Sequence, residues 1–75
     1  MSHLPVQDAR WVLAALKRAS FHVYRITGSH YNLIPEGRTY PLVTVPFHTS
    51  DLKPGTLRAI IRQAGMTVEE FRRFL

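Results

Sequence analysis

Apolar residues recur at helical spacing near both ends of the chain. The first stripe consists of Val6, Ala9, Leu13 and Leu16. It predicts an amphipathic helix over residues 5–19. The second stripe consists of Leu57, Ile60, Ile61 and Ala64. It predicts a helix that holds Pro54 in its first turn, where the missing N–H costs nothing, and that ends at Gly65. The capping-box pattern Thr67-Val68-Glu69-Glu70 predicts a third helix directly after it.

The middle of the chain carries short runs of β-branched and aromatic residues separated by turn residues. The runs cover residues 21–26, 30–34 and 42–45, with Gly28 and Gly37 in the connections. They predict three short strands in an antiparallel meander. So short a chain needs helices over one face of this sheet to form a core. We therefore expect a two-layer α+β fold, a three-stranded antiparallel sheet packed by helices in the order α-β-β-β-α-α.

The length and composition limit where a site can lie. A chain of 75 residues indicates a single domain, residues 1–75, with a thin core and any site on its surface. Cysteine is absent, which excludes disulfides, thiolate nucleophiles and cysteine zinc sites. The sequence contains neither an export-type N-terminus nor an apolar stretch approaching the roughly 20 residues of a membrane span. We expect a soluble, cytoplasmic protein with no membrane partner.

The charge balance favours contact with phosphate. The formal net charge is +5, and the cationic residues are eight arginines and two lysines. The planar guanidinium fork matches phosphate oxygens better than an ammonium group does. A few excess charges are also common on small soluble domains, so charge alone leaves nucleic acid and a merely solvated surface both open. Metal binding is not expected, because the acidic residues are few and show no ligand spacing on one helix face.

One histidine lies where it could do chemistry on RNA. His30 follows Gly28-Ser29 in the turn between the first two predicted strands, and a turn presents an imidazole to solvent. RNA cleavage requires a proton to leave the 2′-hydroxyl, a proton to reach the departing 5′-oxygen, and cations around the phosphorane. We hypothesise that His30 is the general base or acid, with phosphate held by Arg25, Arg38 and Lys53. DNA lacks the attacking hydroxyl and is not expected to be cut. On residue type alone, a strand-pairing surface histidine is the more common reading.

Several motifs in a fixed order resemble one known family. They are Gly28-Ser29-His30, Glu36-Gly37-Arg38, Val43-Thr44-Val45-Pro46 with His48, Leu52-Lys53-Pro54-Gly55-Thr56-Leu57-Arg58, Gln63-Ala64-Gly65 and Val68-Glu69-Glu70-Phe71. Together they look like the HicA toxin family, over nearly the whole chain. The resemblance implies a fold similar to the double-stranded RNA-binding domain and an mRNA interferase, that is, an endoribonuclease toxin of a type II toxin–antitoxin system. It also implies activity without metal or cofactor, His30 as the catalytic residue, mRNA as substrate and a HicB-type antitoxin as partner.

The chain departs from the usual family pattern in three places. Tyr31 stands where a second histidine often follows the first, and Ser20 replaces a common glycine before the first strand. The stretch 39–42 is longer than the typical hairpin, and its Pro41 is expected to bulge or shorten the third strand. None of these departures removes His30.

The remaining candidate residues have both functional and structural readings. The RNA-binding residues that we assign are Arg25, Ser29, Arg38, Lys53, Arg58 and Arg62. His48 is a candidate for phosphate contact or for packing against the following helix. Aromatic side chains could stack on bases or fill the core, namely Trp11, Tyr24, Tyr31 and Tyr40, and Trp11 could also belong to an antitoxin-binding patch. A non-catalytic RNA-binding module and a purely protein-binding subunit are the alternatives to a nuclease.

Overall fold

The computed structural model describes residues 8–47 and 52–75. Its helices are α1 (Ala9–Arg18), α2 (Pro54–Gln63) and α3 (Val68–Arg72), and its strands are β1 (Phe21–Thr27), β2 (His30–Pro35) and β3 (Val43–Pro46). The order of the elements is therefore α-β-β-β-α-α. The three strands form one antiparallel sheet in the order β1-β2-β3. The α+β class, the meander and the element order predicted from the sequence are all confirmed.

Local side-chain chemistry sets the helix ends. Asp8 caps α1 by accepting a hydrogen bond from the Trp11 backbone N–H at 3.1 Å. Pro54 lies in the first turn of α2, and Gly65 follows the helix with a left-handed φ of 75°. The hydroxyl of Thr67 accepts from the Glu70 backbone N–H while the Glu70 carboxylate accepts from the Thr67 backbone N–H. The predicted capping box is thus present at the start of α3.

The main differences from the sequence prediction lie at element boundaries. Helix α1 begins at Ala9, because the Asp8 cap fixes its start; residues 5–7 lie outside the described part of the chain. Strand β3 begins at Val43, two residues after Pro41. The bulge in the sheet lies in β1, between Val23 and Arg25, and not at Pro41.

Ser20 takes over a backbone role that suits glycine. It follows α1 with φ of 71°, in the left-handed region that glycine favours. Its N–H donates to the Lys17 carbonyl at 3.0 Å, and its own carbonyl accepts from the Glu36 N–H at 2.8 Å. The serine therefore preserves the turn from helix into strand that the more common glycine would make.

The three helices cover one face of the sheet. The core side chains from the sheet are Phe21, Leu33, Val43 and Val45, and those from the helices and their flanks are Ala9, Val12, Leu13, Ala15, Leu16, Leu52, Leu57, Ile60, Ile61 and Phe71. Every buried residue in the described part of the chain is apolar. The opposite face, which we call the open face, carries the alternate residues of each strand and no helix.

Candidate active site on the open face

His30 begins β2 at one end of the sheet. The turn before it holds Gly28, whose φ of 59° is left-handed, which suits a two-residue connection between antiparallel strands. His30 is exposed and lies opposite Thr27 of β1 and Pro46 of β3. The Phe47 N–H donates to the Ser29 carbonyl at 2.6 Å and ties the turn to the end of β3. The imidazole therefore stands in solvent on a backbone held from both sides.

The pleat of β2 puts His30 on the open face. Leu33 is buried beneath the helices, and side chains alternate along a strand. His30, Asn32 and Ile34 consequently share the other face. Arg25 is exposed and pairs with Asn32, two residues from His30. It is therefore the diagonal neighbour of His30 on the adjacent strand, with about 7–8 Å between the two Cα atoms. The predicted pairing of His30 with a nearby arginine is geometrically available at this position.

A small hydrogen-bond network holds the strands next to His30. The Thr44 hydroxyl donates to Oδ1 of Asn32 at 2.8 Å, and Nδ2 of Asn32 donates to the Arg25 carbonyl at 3.4 Å. The network links all three strands across the open face. It fixes the backbone that carries Arg25 without using the guanidinium group.

The other predicted cationic residues are distributed unevenly around this site. Lys53 directly precedes α2 and is exposed. The end of helix α2 is held at β3, where the Gln63 side chain accepts from the Thr44 N–H at 3.0 Å. Arg58 and Arg62 are exposed on this helix. Arg38 follows the far end of β2, so the structure does not bring it to the imidazole.

The remaining histidines contribute nothing to the His30 end in the described residues. His22 pairs with Ile34 at the far end of the sheet. Its Nδ1 is shielded from solvent and lies 2.9 Å from Oε1 of Glu36, which is an ion-pair distance if the ring is protonated. The two groups are not aligned for a hydrogen bond. His22's neighbours Phe21 and Val23 pack in or against the core, so His22 faces away from it. His3 and His48 lie outside the described residues.

The aromatic candidates divide between the core and the surface. Tyr31 packs against the core and its ring lies 4.8 Å from that of Phe47, at 32° between planes. Trp11, Tyr24 and Tyr40 are large and exposed. Only these three are available for contact with another molecule.

A comparison with protein families decides the identity. The family described as HicA toxin of bacterial toxin-antitoxin matches residues 9–66. The match extends from the start of α1 to just past α2 and includes the whole sheet. The chain belongs to the HicA toxin family. A comparison with curated proteins finds no match.

Membership of the HicA family carries coarse functional consequences. The protein is a toxin of a toxin–antitoxin system, of a family whose toxins are of the ribonuclease type. The family therefore implies an RNA substrate and an antitoxin partner. Among the described residues, no helix has the length and apolar character of a membrane span. No group of three or more histidine, aspartate or glutamate side chains in those residues could hold a metal ion.

Sequence reasoning missed one feature of this HicA protein. Ile34 lies on the open face yet is only 8% exposed, because the connection 36–42 folds over it. The resulting cavity lies at the far end of the face from His30. The sequence did hold a signal for this cavity. Ile34 alternates along β2 with the polar residues His30 and Asn32, and a large apolar side chain on an otherwise polar face indicates that another segment packs over it.

Proposed function

We propose that this protein is a metal-independent endoribonuclease that cleaves mRNA with His30 as its catalytic residue. A HicB-type antitoxin inhibits it, and it acts in the cytoplasm. The observation that carries the proposal is the position of His30, exposed at a fixed turn on the open face with Arg25 as its diagonal neighbour. Family membership supports the same reading at the level of a ribonuclease-type toxin.

The reaction uses the substrate's own nucleophile. The ribose 2′-hydroxyl loses its proton and attacks the adjacent phosphorus, and the bond to the 5′-oxygen breaks. The products are a 2′,3′-cyclic phosphate and a 5′-hydroxyl, with the departing oxygen receiving a proton. An imidazole in solvent can accept the first proton or donate the second. The chemistry needs no metal, because the negative charge on the phosphorane can be balanced by guanidinium groups.

Cationic side chains hold the phosphates in this proposal. Arg25 is the phosphate ligand nearest the reacting bond, and Lys53, just before α2, binds a neighbouring phosphate. Arg58 and Arg62 contact the RNA backbone where it passes the β3 edge of the sheet, beside which the end of α2 lies, and Ser29 contacts it through the turn. Arg38 binds further along the strand rather than at the cleaved bond, since it lies beyond the opposite end of β2.

Cleavage of labelled RNA in EDTA by matched histidine variants tests the catalytic assignment. His30→Gln is expected to reduce the cleavage rate by about 10²–10⁴-fold, the usual contribution of a general acid or base. His3→Gln is the matched control, because it makes the same substitution at a histidine to which the proposal gives no role, and it is expected to retain wild-type activity. An RNA with a single 2′-deoxy sugar is expected to resist cleavage at that position.

The same assay contains the results that would overturn the proposal. Native-rate cleavage by His30→Gln would remove the catalytic assignment. Loss of wild-type cleavage in EDTA, with recovery on adding a divalent cation, would remove the metal-independent mechanism. Salt-sensitive RNA binding with no cleavage over hours would favour a non-catalytic RNA-binding module. Tight binding of a partner without RNA affinity at low salt would favour a protein-binding subunit.

Inhibition by steric cover follows from the exposed position of His30. A partner that covers His30 and Arg25 with an acidic or sheet-extending surface would block the site without unfolding the toxin. Expression of the toxin is expected to arrest growth, with relief by the antitoxin encoded next to it. A complex in which the antitoxin leaves His30 open to solvent would contradict this mode of inhibition.

A further inference from the structure

The connection 36–42 forms the wall of a cavity on the open face. The cavity has a volume of about 650 Å³ and is lined by His22, Ile34, Gly37, Arg38, Thr39 and Tyr40. A smaller recess of about 270 Å³ adjoins it, lined by Tyr24, Ile34, Thr39 and Leu42. The two share Ile34 and Thr39, so they form one depression, which we call the Tyr40 cavity. The larger part of this depression is wide open to solvent, so it can hold part of an extended chain but does not enclose a small ligand.

The walls of the Tyr40 cavity combine an apolar floor with exposed aromatic rings. Ile34 forms the floor and is nearly buried, whereas Tyr40 is 78% exposed and Tyr24 is 61% exposed. Neither tyrosine belongs to the core beneath the helices. They offer flat surfaces on which an unpaired base can stack.

The charge around the cavity suits a polyanion. Arg38 lines the cavity and is exposed. The carboxylate of Glu36, two residues earlier in the chain, lies against His22, with 2.9 Å between Glu36 Oε1 and His22 Nδ1. Arg25 lies further along the same face towards His30. A chain of phosphates running between the two arginines would meet cationic groups at both ends of the open face.

We propose that the Tyr40 cavity binds an unpaired base of the single-stranded RNA whose scissile phosphate lies at His30. This inference rests on the proposed nuclease function and adds to it a second subsite. Ile34 and His30 lie on the same side of β2, four residues and thus about 13 Å apart. The RNA strand follows β2 along the open face, and its bound base lies away from the cleaved bond. Cleavage-site choice therefore depends on a base that the catalytic end does not touch.

Binding of abasic RNAs tests this subsite separately from catalysis. The probe is a fluorescein-labelled single-stranded RNA of mixed sequence and a set of copies with one abasic position each. Affinities are measured at low salt in EDTA with His30→Gln protein, so that cleavage does not interfere. Tyr40→Ala in this background is expected to weaken binding of the intact RNA by about 5- to 10-fold, the equivalent of one base stack. Tyr40→Phe, which keeps the ring, is expected to bind normally.

The matched control for Tyr40 is another exposed aromatic residue away from the sheet. Trp11 on α1 is 57% exposed, and Trp11→Ala in the His30→Gln background is expected to leave RNA affinity unchanged. One abasic position is expected to weaken binding to the parent protein but not to the Tyr40→Ala protein, because the base and the ring are then lost as one interaction.

The outcomes separate this inference from the nuclease proposal. If wild-type protein cleaves RNA but Tyr40→Ala and Trp11→Ala bind every probe alike, the base subsite is wrong and the nuclease stands. If wild-type protein does not cleave but the abasic position and Tyr40 are coupled, the nuclease is wrong and the subsite stands as RNA binding. Absence of any RNA binding overturns the subsite. So does a Tyr40→Ala effect confined to antitoxin binding, which would make the cavity a protein interface.

Discussion

The two faces of one small sheet differ in almost every property that matters for function. Beneath the helices, Leu33, Val43 and Val45 are completely buried. On the open face, the alternate residues of the same strands include His30, Asn32 and Thr44, and the described core contains none of them. A strand of six residues such as β2 therefore serves both folding and the proposed chemistry. The face of the sheet on which a residue lies, more than its position in the chain, determines whether it contributes to folding or to the proposed chemistry.

The strongest test of this division compares neighbours on β2. Leu33→Ala is expected to lower the free energy of unfolding by about 2–5 kcal/mol, since it leaves a cavity under the helices. Asn32→Ala, one residue earlier and on the open face, is expected to cost about 1 kcal/mol through loss of its hydrogen bonds to Thr44 and Arg25. Urea denaturation of the two variants measures both values. Equal losses would show that the open face also contributes to the core.

A second comparison contrasts an arginine of the open face with one outside it. Arg25→Gln is expected to reduce the kcat/KM for RNA cleavage by about 10- to 100-fold, the value of a hydrogen bond to a charged group of about 1.5–3 kcal/mol. Arg72 is exposed on α3, and Arg72→Gln removes the same charge at a distance from the sheet. Cleavage assays at two salt concentrations separate a specific contact from a general loss of charge, because only the latter affects both variants alike.

Much of the helix-covered layer could be predicted because its signals are local. The stripe ending at Ala64, the left-handed glycine at position 65 and the Thr67–Glu70 capping box each depend on residues within a few positions of one another. Periodicity likewise placed the three strands to within a residue or two. Local spacing is sufficient for such features, because hydrogen bonds and side-chain direction repeat along the backbone.

The open face was harder to predict because its arrangement depends on contacts between distant residues. Arg38 is eight positions from His30 in the sequence, yet β2 separates the two along its length. The fold of residues 36–42 over Ile34 has no periodic signal. The position of the bulge next to Tyr24 depends on the pairing of β1 with β2 and not on either strand alone. Sequence reasoning identified the candidate residues there, whereas their grouping required the structure.

A smaller effect is expected at the start of α3, which closes the covered layer. Phe71 on this five-residue helix is fully buried against the core, so the capping box secures part of that layer. Thr67→Ala is expected to lower the free energy of unfolding by about 1 kcal/mol, the typical value of an N-cap. Thr67→Ser keeps the hydroxyl and is the matched control in the same urea experiment. Equal stability of the two variants would show that Phe71 holds α3 without the cap.

The smallest expected effect concerns pH and the start of α1. The hydrogen bond from the Trp11 backbone N–H lowers the pKa of the Asp8 carboxyl below its ordinary value of 3.8. A partial loss of hydration acts in the opposite direction, and the Arg10 guanidinium, 3.1 Å away, lowers the pKa further. A lowered pKa in the folded state means that the carboxylate stabilises the fold above pH 3.8. That contribution is lost as the pH falls through 3.8 and then through the lower folded value.

Asp8→Asn isolates this titration from the cap itself. Asparagine retains a side-chain oxygen that can accept from the Trp11 N–H, but it does not ionise. The difference in thermal midpoint between wild type and Asp8→Asn is expected to shrink as the pH is lowered from neutral towards the acid limit of the folded state. The effect is small because the carboxylate is near the surface and Arg10 is largely solvated. Cleavage activity near neutral pH is expected to be the same in both proteins, since α1 lies on the covered side of the sheet. A constant difference at every pH would assign the role of Asp8 to the hydrogen bond alone and not to its charge.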